Sequence, residues 1–312
     1  MKILVTGSAG FIGFHLSQYL LKNGHHIYGI DNFQNDRKIS SNRNRILKKF
    51  KKYFFLKIDL SKKNSFYKKI KFDLIIHLAA LPGVRISMDN PITCINSNIK
   101  GFQNILEYAR KKKIKKIFFA SSSTVYGEEK NNFEEKKLTR FPKSIYAMTK
   151  ISNELMANLY HREYGINFVG FRFFSIYGKY GRPDMSYFKF LTDIKRNKKI
   201  YLNGNGNIKR SFTHIDDAII AIIKIISKYK NLKSFNEIYN IGNNKSVKIS
   251  NIINIIKKNY KKKFKVIKQK EFNVDSQITK SSNLKIYDSI KFEPKVDIDK
   301  GLKEFINWFE KY

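Results

Sequence analysis

Three glycines spaced three apart end the first strand-like run of this chain and open the segment behind it. Lys2-Ile3-Leu4-Val5-Thr6-Gly7-Ser8-Ala9-Gly10-Phe11-Ile12-Gly13 reads as a short apolar strand, a tight turn and the start of an amphipathic helix that continues from Phe14 to about Asn23. Glycine here lets the backbone turn and come close to a ligand. The first helical turn offers free N–H groups and the positive end of the helix dipole, which suits a pyrophosphate. A second strand, His26-Ile27-Tyr28-Gly29-Ile30, ends at Asp31. A carboxylate there can accept both hydrogen bonds of an adenine ribose diol and repels a 2′-phosphate. Strand, glycine turn, helix, strand and acid in this order predict a site for NAD rather than NADP, built from Gly7, Gly10, Phe11, Ile12, Gly13, Asp31 and Asn32.

The rest of the chain keeps alternating. Phe54 to Leu60 reads as a strand closing at Asp59, Phe72 to Ala80 as a buried strand ending in small residues, and Lys116 to Thr124 as a strand ending in hydroxyls. Asn98 to Lys112 and Tyr146 to Glu163 read as helices, and Asn167 to Phe173 as another strand. Strands alternating with helices predict an α/β fold with a doubly wound parallel sheet, whose ligands bind at the carboxyl ends of the strands. Asp31, Asp59 with Leu60, Leu78 with Ala79 and Ala80, Ser122, and Phe173 all fall at such ends. They join the cofactor candidates by position.

One pair carries candidate chemistry. Tyr146 and Lys150 stand four residues apart on a helix, hence on one face. A phenol with its usual pKa of about 10 is a poor base at neutral pH. A nearby ammonium favours the phenolate and lowers that pKa, which makes the pair a candidate general base.

At 312 residues the chain can bury a sizeable core. A lone cysteine, Cys94, fits a reducing compartment, and the N-terminus enters a strand almost at once. Both point to the cytoplasm. The longest apolar stretch, Ala218 to Ile226, is interrupted by Lys224 and too short for a bilayer. The net charge of +37 would ordinarily indicate a polyanion partner. Its lysines, however, are spread along the whole chain among abundant Ile, Asn, Phe and Tyr, all with A/T-rich codons. Base composition accounts for the charge as well as nucleic-acid binding does, and the latter is not expected.

The motifs together resemble the extended short-chain dehydrogenase/reductase family. The marks are Thr6 to Gly13, His77-Leu78-Ala79-Ala80, Ser121-Ser122-Ser123-Thr124-Val125-Tyr126-Gly127, Tyr146 with Lys150, and Arg210-Ser211-Phe212-Thr213-His214-Ile215-Asp216-Asp217. Leu81-Pro82-Gly83-Val84-Arg85 through Pro91, and Phe173-Phe174-Ser175 through Gly181-Arg182-Pro183-Asp184-Met185, are similar to UDP-glucuronate 4-epimerases within that family. The resemblance implies a Rossmann-type NAD-binding domain over residues 1–172, with a segment near 205–225 returning to it. Residues 173–312 would be mainly a smaller substrate-binding lobe. A homodimer through the Asn98 and Tyr146 helices is implied as well.

The resemblance also implies C4 epimerisation without net redox. Tyr146 takes the proton from the sugar 4-hydroxyl while hydride passes from C4 to NAD, and both return after the 4-keto sugar turns over. Lys150 would hold the nicotinamide ribose and favour the Tyr146 phenolate. Ser122, with Ser123 as the alternative, would bond the reacting hydroxyl. On the substrate side, Arg182 would anchor the carboxylate of UDP-glucuronate, since a guanidinium holds a carboxylate bidentately. A surface pair of Arg182 with Asp184 is the other reading of that residue. Arg85 is a second anchor, Ser175 stands beside the sugar, Arg210 matches the diphosphate arginine, and Asp275 with Thr279 resembles a uridine-ribose segment. Ser123 and Thr124 replace the acidic pair that eliminating relatives carry, which disfavours dehydration and decarboxylation. The remaining readings are a 4-epimerase of another UDP-hexose or UDP-N-acetylhexosamine, and a non-catalytic NAD-binding protein that associates with polyanions.

Overall fold

The computed structural model describes residues 1–34, 37–62, 66–127, 133–137, 141–203, 206–269 and 278–312. From the N-terminus the elements are β1 (Lys2–Thr6), α1 (Phe11–Lys22), β2 (His26–Asp31), α2 (Arg37–Leu47), β3 (Tyr53–Lys57), β4 (Leu74–His77), α3 (Val84–Asp89), α4 (Pro91–Ile95), a π-helical turn (Asn96–Lys100), α5 (Gly101–Lys111), β5 (Lys116–Ser122), a 3₁₀ turn (Ser123–Tyr126), α6 (Ile145–Tyr164) and β6 (Asn167–Phe173). Then follow β7 (Ser175–Tyr177), α7 (Ser186–Lys195), β8 (Ile200–Asn203), β9 (Lys209–Arg210), β10 (Phe212–His214), α8 (Ile215–Tyr229), β11 (Asn236–Ile241), β12 (Val247–Lys248), α9 (Ile249–Asn259), β13 (Val266–Gln269), α10 (Leu284–Ile290) and α11 (Ile298–Lys311).

The main sheet is seven-stranded, in the order β11-β6-β5-β4-β1-β2-β3, with parallel pairing from β6 through β3. The chain winds outward from β1 through β2 and β3, then returns to the other side of β1 as β4. The carboxyl ends of β1 and β4 therefore flank the switch point of the doubly wound sheet, where ligands bind in such folds. Strands covered on both faces read as continuous apolar runs. All seven residues of β6 are buried, as are all four of β4.

Two compact units emerge. The first comprises Met1–Gly127, Leu138–Phe173 and Ile223–Tyr239; the second comprises Glu128–Lys137, Phe174–Ile222 and Asn240–Tyr312. Ile223–Tyr239 is the late segment that rejoins the first unit. In the first unit, Ile75, Phe102, Ile105, Ile117, Phe119 and Phe168 form a fully buried core between the sheet and α5. In the second, β7 pairs with β10, β9 with β12 and β8 with β13. Phe188 of α7 meets Phe305 and Phe309 of α11 at ring-centroid distances of 5.4 and 5.5 Å. The buried Asp217 of α8 accepts the backbone N–H groups of Lys295 and Val296, at 3.1 and 2.9 Å.

Element ends differ from the sequence reading in instructive places. β3 stops at Lys57, because the Asp59 carboxylate accepts the Ser61 backbone N–H at 2.9 Å and its hydroxyl at 2.7 Å. That local turn competes with the strand ladder. The helix expected from Asn98 begins earlier and passes through the π-helical turn before α5.

Candidate active site in the first unit

The glycine turn fits a dinucleotide by shape. Gly7 has φ +68, and a side chain on it would come within 2.7 Å of the Ala79 backbone nitrogen. A Cβ on Gly13 would fall 2.0 Å from the Gly7 carbonyl oxygen, so α1 can approach the turn only without one. Among the described residues no side chain caps α1: Gly10 occupies the N-cap, and its own N–H donates to Gly7 O at 2.9 Å. The start of α1 is therefore left to backbone N–H groups at the turn, as an anionic pyrophosphate requires. Phe11 is buried beneath the helix start and Ile12 is half-buried.

The turn is braced from behind. Ser8 Oγ, Tyr53 OH and Asn44 Oδ1 form a chain with steps of 3.0 Å each, and the buried Arg43 of α2 donates to Ala9 O at 3.1 Å. Asp31 accepts N–H bonds from Ala9 at 3.1 Å and Phe33 at 2.8 Å. Burial pushes the Asp31 carboxyl up, and those backbone donors together with the Arg43 charge oppose the rise. A ribose diol arriving here would supply the further donors a buried carboxylate needs.

Gly7, Gly10, Asp31, Asn32, Asp59, Leu60, Leu78, Ala79 and Ala80 line one cleft at the carboxyl ends of β1 to β4. Thr6 Oγ1 links its floor to β4, lying 2.8 Å from His77 Nδ1 and accepting the Ala79 N–H at 3.3 Å. Burial pushes the His77 imidazole down to about 3, so it stands neutral there. Phe173 is buried at the end of β6, where it pairs with Ser122.

Tyr146 and Lys150 occupy the first turns of α6, whose N-cap Ser144 accepts the Ala147 N–H at 3.1 Å. The Tyr146 N–H donates to Ser87 Oγ of α3 at 3.1 Å. Lys150 is buried; its Nζ donates to Ala120 O of β5 at 2.8 Å and lies 5.7 Å from the centroid of the Tyr146 ring. Burial pushes its ammonium down to about 8, against the opposing charges of Cys94 and Glu154. Ser122 caps the 3₁₀ turn, its Oγ accepting from Thr124 N and Thr124 Oγ1 at 3.2 and 3.0 Å. Ser123, half-buried, opens that turn.

Residues 3–242 match the NAD dependent epimerase/dehydratase family. The chain belongs to that family. Its members depend on NAD. The chain is 45% identical over 321 residues to an uncharacterized protein of Methanocaldococcus jannaschii, covering 99% of this chain and 96% of that one. It is 35% identical over 314 residues to a UDP-glucuronate 4-epimerase of Thermodesulfobacterium geofontis, covering 98% and 95%. The crystal structure of a Bacillus cereus UDP-glucuronic acid 4-epimerase in complex with UDP-glucuronic acid and NAD superimposes with a TM-score of 0.92 at 31% identity, covering 100% of this chain and 99% of that one.

The other sequence candidates are spread over both units. Arg85 lies exposed on α3 in the first unit. Ser175, Arg182 and Arg210 belong to the second. Ser175 pairs with Phe212 across β7 and β10, and its N–H donates to Ser211 O at 3.1 Å. Arg210 lies opposite Val247, its Nη1 donating to Lys209 O at 3.1 Å. Arg182 grips Asp184 with both arms of its guanidinium, Nε to Oδ1 at 3.0 Å and Nη2 to Oδ2 at 2.5 Å. Thr279 holds the β9 end, donating its N–H to Lys209 O at 3.1 Å and accepting the Ser211 N–H at 3.2 Å. Asp275 lies outside the described residues.

Two parts of the first-unit site escaped the sequence reading. Asn98, in the π-helical turn, accepts the Leu81 N–H at 2.7 Å and donates toward Thr149 Oγ1 at 3.1 Å. Nothing in its neighbourhood in sequence marks it. Glu154, buried on α6, accepts from Ser121 Oγ at 2.5 Å and from Arg172 Nε and Nη2 at 2.9 and 2.8 Å. That one had a signal: it stands one turn beyond Lys150, on the helix face that Tyr146 and Lys150 share.

Proposed function

We propose that the chain is a UDP-sugar 4-epimerase acting between UDP-glucuronate and UDP-galacturonate. The observation that carries the reading is Lys150, buried against β5 and within 5.7 Å of the Tyr146 ring, one strand end from Ser122. Bound NAD would accept hydride from the sugar C4 and give it back to the opposite face. Tyr146 takes the proton of the 4-hydroxyl as the carbonyl forms and returns it on reduction. Ser122, or Ser123 beside it, bonds the reacting oxygen. Lys150 lends positive charge that favours the phenolate over the phenol. Its Nζ, one of whose hydrogens is used by Ala120 O, has further donors to offer a ribose hydroxyl.

On the substrate side, Arg210 serves the diphosphate, Arg182 the sugar carboxylate, Ser175 the sugar, and Arg85 is the second anchor. The 35% relative and the Bacillus cereus enzyme, both UDP-glucuronate 4-epimerases, support the uronate. One observation favours a neutral hexose instead: the Arg182 guanidinium is matched by Asp184 within the chain itself. Incubation with a panel of UDP-sugars, with the C4 epimers resolved by NMR, tests both. Turnover confined to UDP-glucuronate and UDP-galacturonate supports the first reading, and turnover confined to neutral sugars removes it. A cytoplasmic homodimer completes the proposal, supported by Leu155 and Leu159, which α6 leaves 55% and 46% exposed.

A further inference from the structure

Three consecutive residues at the end of β5 are each tied differently. Ala120 gives its carbonyl to Lys150, Ser121 gives its hydroxyl to Glu154, and Ser122 carries the hydroxyl assigned to the reacting oxygen. Lys150 and Glu154 are successive turns of the same face of α6. Glu154 is joined from the far side by Arg172 of β6, which stands opposite Ser121 in the strand register. Both members of that ion pair are buried, with 5% and 1% of their side chains exposed. The Arg172 guanidinium also lies 4.8 Å from the centroid of Tyr126, at the end of the 3₁₀ turn that Ser122 caps.

A buried ion pair is weak evidence for stability, because desolvation offsets most of the attraction and apolar substitutes are often as stable. Its geometry is better explained by what it fixes. The carboxylate meets one hydroxyl from β5 and two guanidinium nitrogens from β6, each at hydrogen-bond distance. The axial height and rotation of α6 against both strands are thereby set at a point one turn from Lys150.

We propose that Glu154 is a positioning residue for the reaction, holding α6 in the register that keeps Tyr146 and Lys150 aligned with Ser122. The inference rests on the epimerase reading above. Misplacement by about 1 Å from a site remote from the chemistry can cost about 100-fold in rate. The charge has a second effect. Tyr146 and Glu154 face Lys150 from its own helix, His77 from β4 and Cys94 from α4, with His77 neutral. Removing the Glu154 charge takes away support for the Lys150 ammonium, so its titration moves to lower pH.

The test uses Glu154→Gln and the doubly neutral Glu154→Gln, Arg172→Gln, the second in case the first leaves Arg172 too poorly matched to fold. Both are compared with wild type as purified full-length protein, by thermal unfolding, retained NAD, kcat and KM across pH. The expected result is a folded protein with NAD, KM for the UDP-sugar within about threefold, and kcat down about 10- to 100-fold. The alkaline limb of the kcat profile should shift to lower pH in the single variant. An activity-independent arm titrates protein carrying 13C at lysine Cε, the Lys150 signal being the one missing from Lys150→Met. A lower midpoint in Glu154→Gln than in wild type supports the proposal. Unchanged kcat and an unchanged Lys150 midpoint in a folded variant overturn it, as does a rate loss that only tracks the unfolded fraction. If wild type turns over no UDP-sugar, the epimerase reading fails by itself, and the lysine midpoint alone decides for or against the Glu154 coupling.

Discussion

The Lys150 ammonium points away from water and donates to the Ala120 carbonyl at 2.8 Å, while the Tyr146 ring lies 5.7 Å from it on the preceding helical turn. The strand that presents Ser122 and the helix that presents Tyr146 are thus tied together by the residue that is to tune the phenol. A helix carrying only a solvated Tyr–Lys pair would leave the lysine exposed, and here it is 1% exposed.

Replacing Tyr146 by phenylalanine removes the hydroxyl proposed to carry the proton and keeps the backbone bond from this position to Ser87. Turnover should fall by about 10² to 10⁴-fold, the usual range for losing a general acid–base group. NAD content and UDP-sugar affinity should stay near wild type by absorbance after denaturation and by calorimetry. Near-normal turnover by Tyr146→Phe excludes Tyr146 as the base.

Lys150 makes a linked prediction about pH. Burial lowers its folded pKa from 10.5 to about 8, so between these values the unfolded chain binds the extra proton. Stability from this group is therefore lost below about 8 and regained as pH rises toward 10.5. The difference in unfolding free energy between wild type and Lys150→Met should be flat below pH 8 and rise in favour of wild type by about 3 kcal/mol above it. Urea unfolding at several pH values measures it. The same titration should place an alkaline decline near pH 8 in kcat/KM.

How far the sequence was readable follows from which residues act locally. β6 was bounded correctly at Asn167 and Phe173, because its ends are set by its own apolar run. The glycine turn was legible for the same reason: its shape is written in backbone freedom. The π-helical turn at Asn96–Lys100 was not, since the extra residue is accommodated by Asn98 reaching Leu81 and Thr149, both distant in sequence. The state of Arg182 was left between two readings by its sequence context, and the structure shows Asp184 on its guanidinium. Whether a substrate carboxylate displaces Asp184 depends on a ligand, which no spacing encodes.

Gly13→Ala tests the turn directly. The new methyl group would fall 2.0 Å from the Gly7 oxygen, so either α1 or the turn must move. Overpacking of this kind costs about 1–3 kcal/mol. The purified variant should unfold at lower temperature and carry less NAD than wild type. Full NAD occupancy would place the dinucleotide elsewhere.

Arg182 and Asp184 can be separated by substitution. Arg182→Ala should lower kcat/KM for UDP-glucuronate at least tenfold, because losing one partner of a desolvated charged pair costs about 2–5 kcal/mol. The value for UDP-glucose should barely change. Asp184→Asn takes a competing carboxylate off the guanidinium and should lower KM for UDP-glucuronate selectively. Equal effects on both sugars move the carboxylate assignment to Arg85 and Ser175.

The order of synthesis separates the pieces of the first unit in time. The chain leaves the first unit after Phe173, builds much of the second, and comes back only at Ile223. Emerging from the ribosome, β6 is therefore complete while its outer neighbour β11 does not yet exist. An edge made entirely of buried-type residues is an adhesive surface for other chains. The interval between Phe173 and Asn236 is thus the vulnerable period of biogenesis, when a chaperone would matter most. A chain stopped within that interval should aggregate rather than accumulate as a soluble NAD-binding fragment.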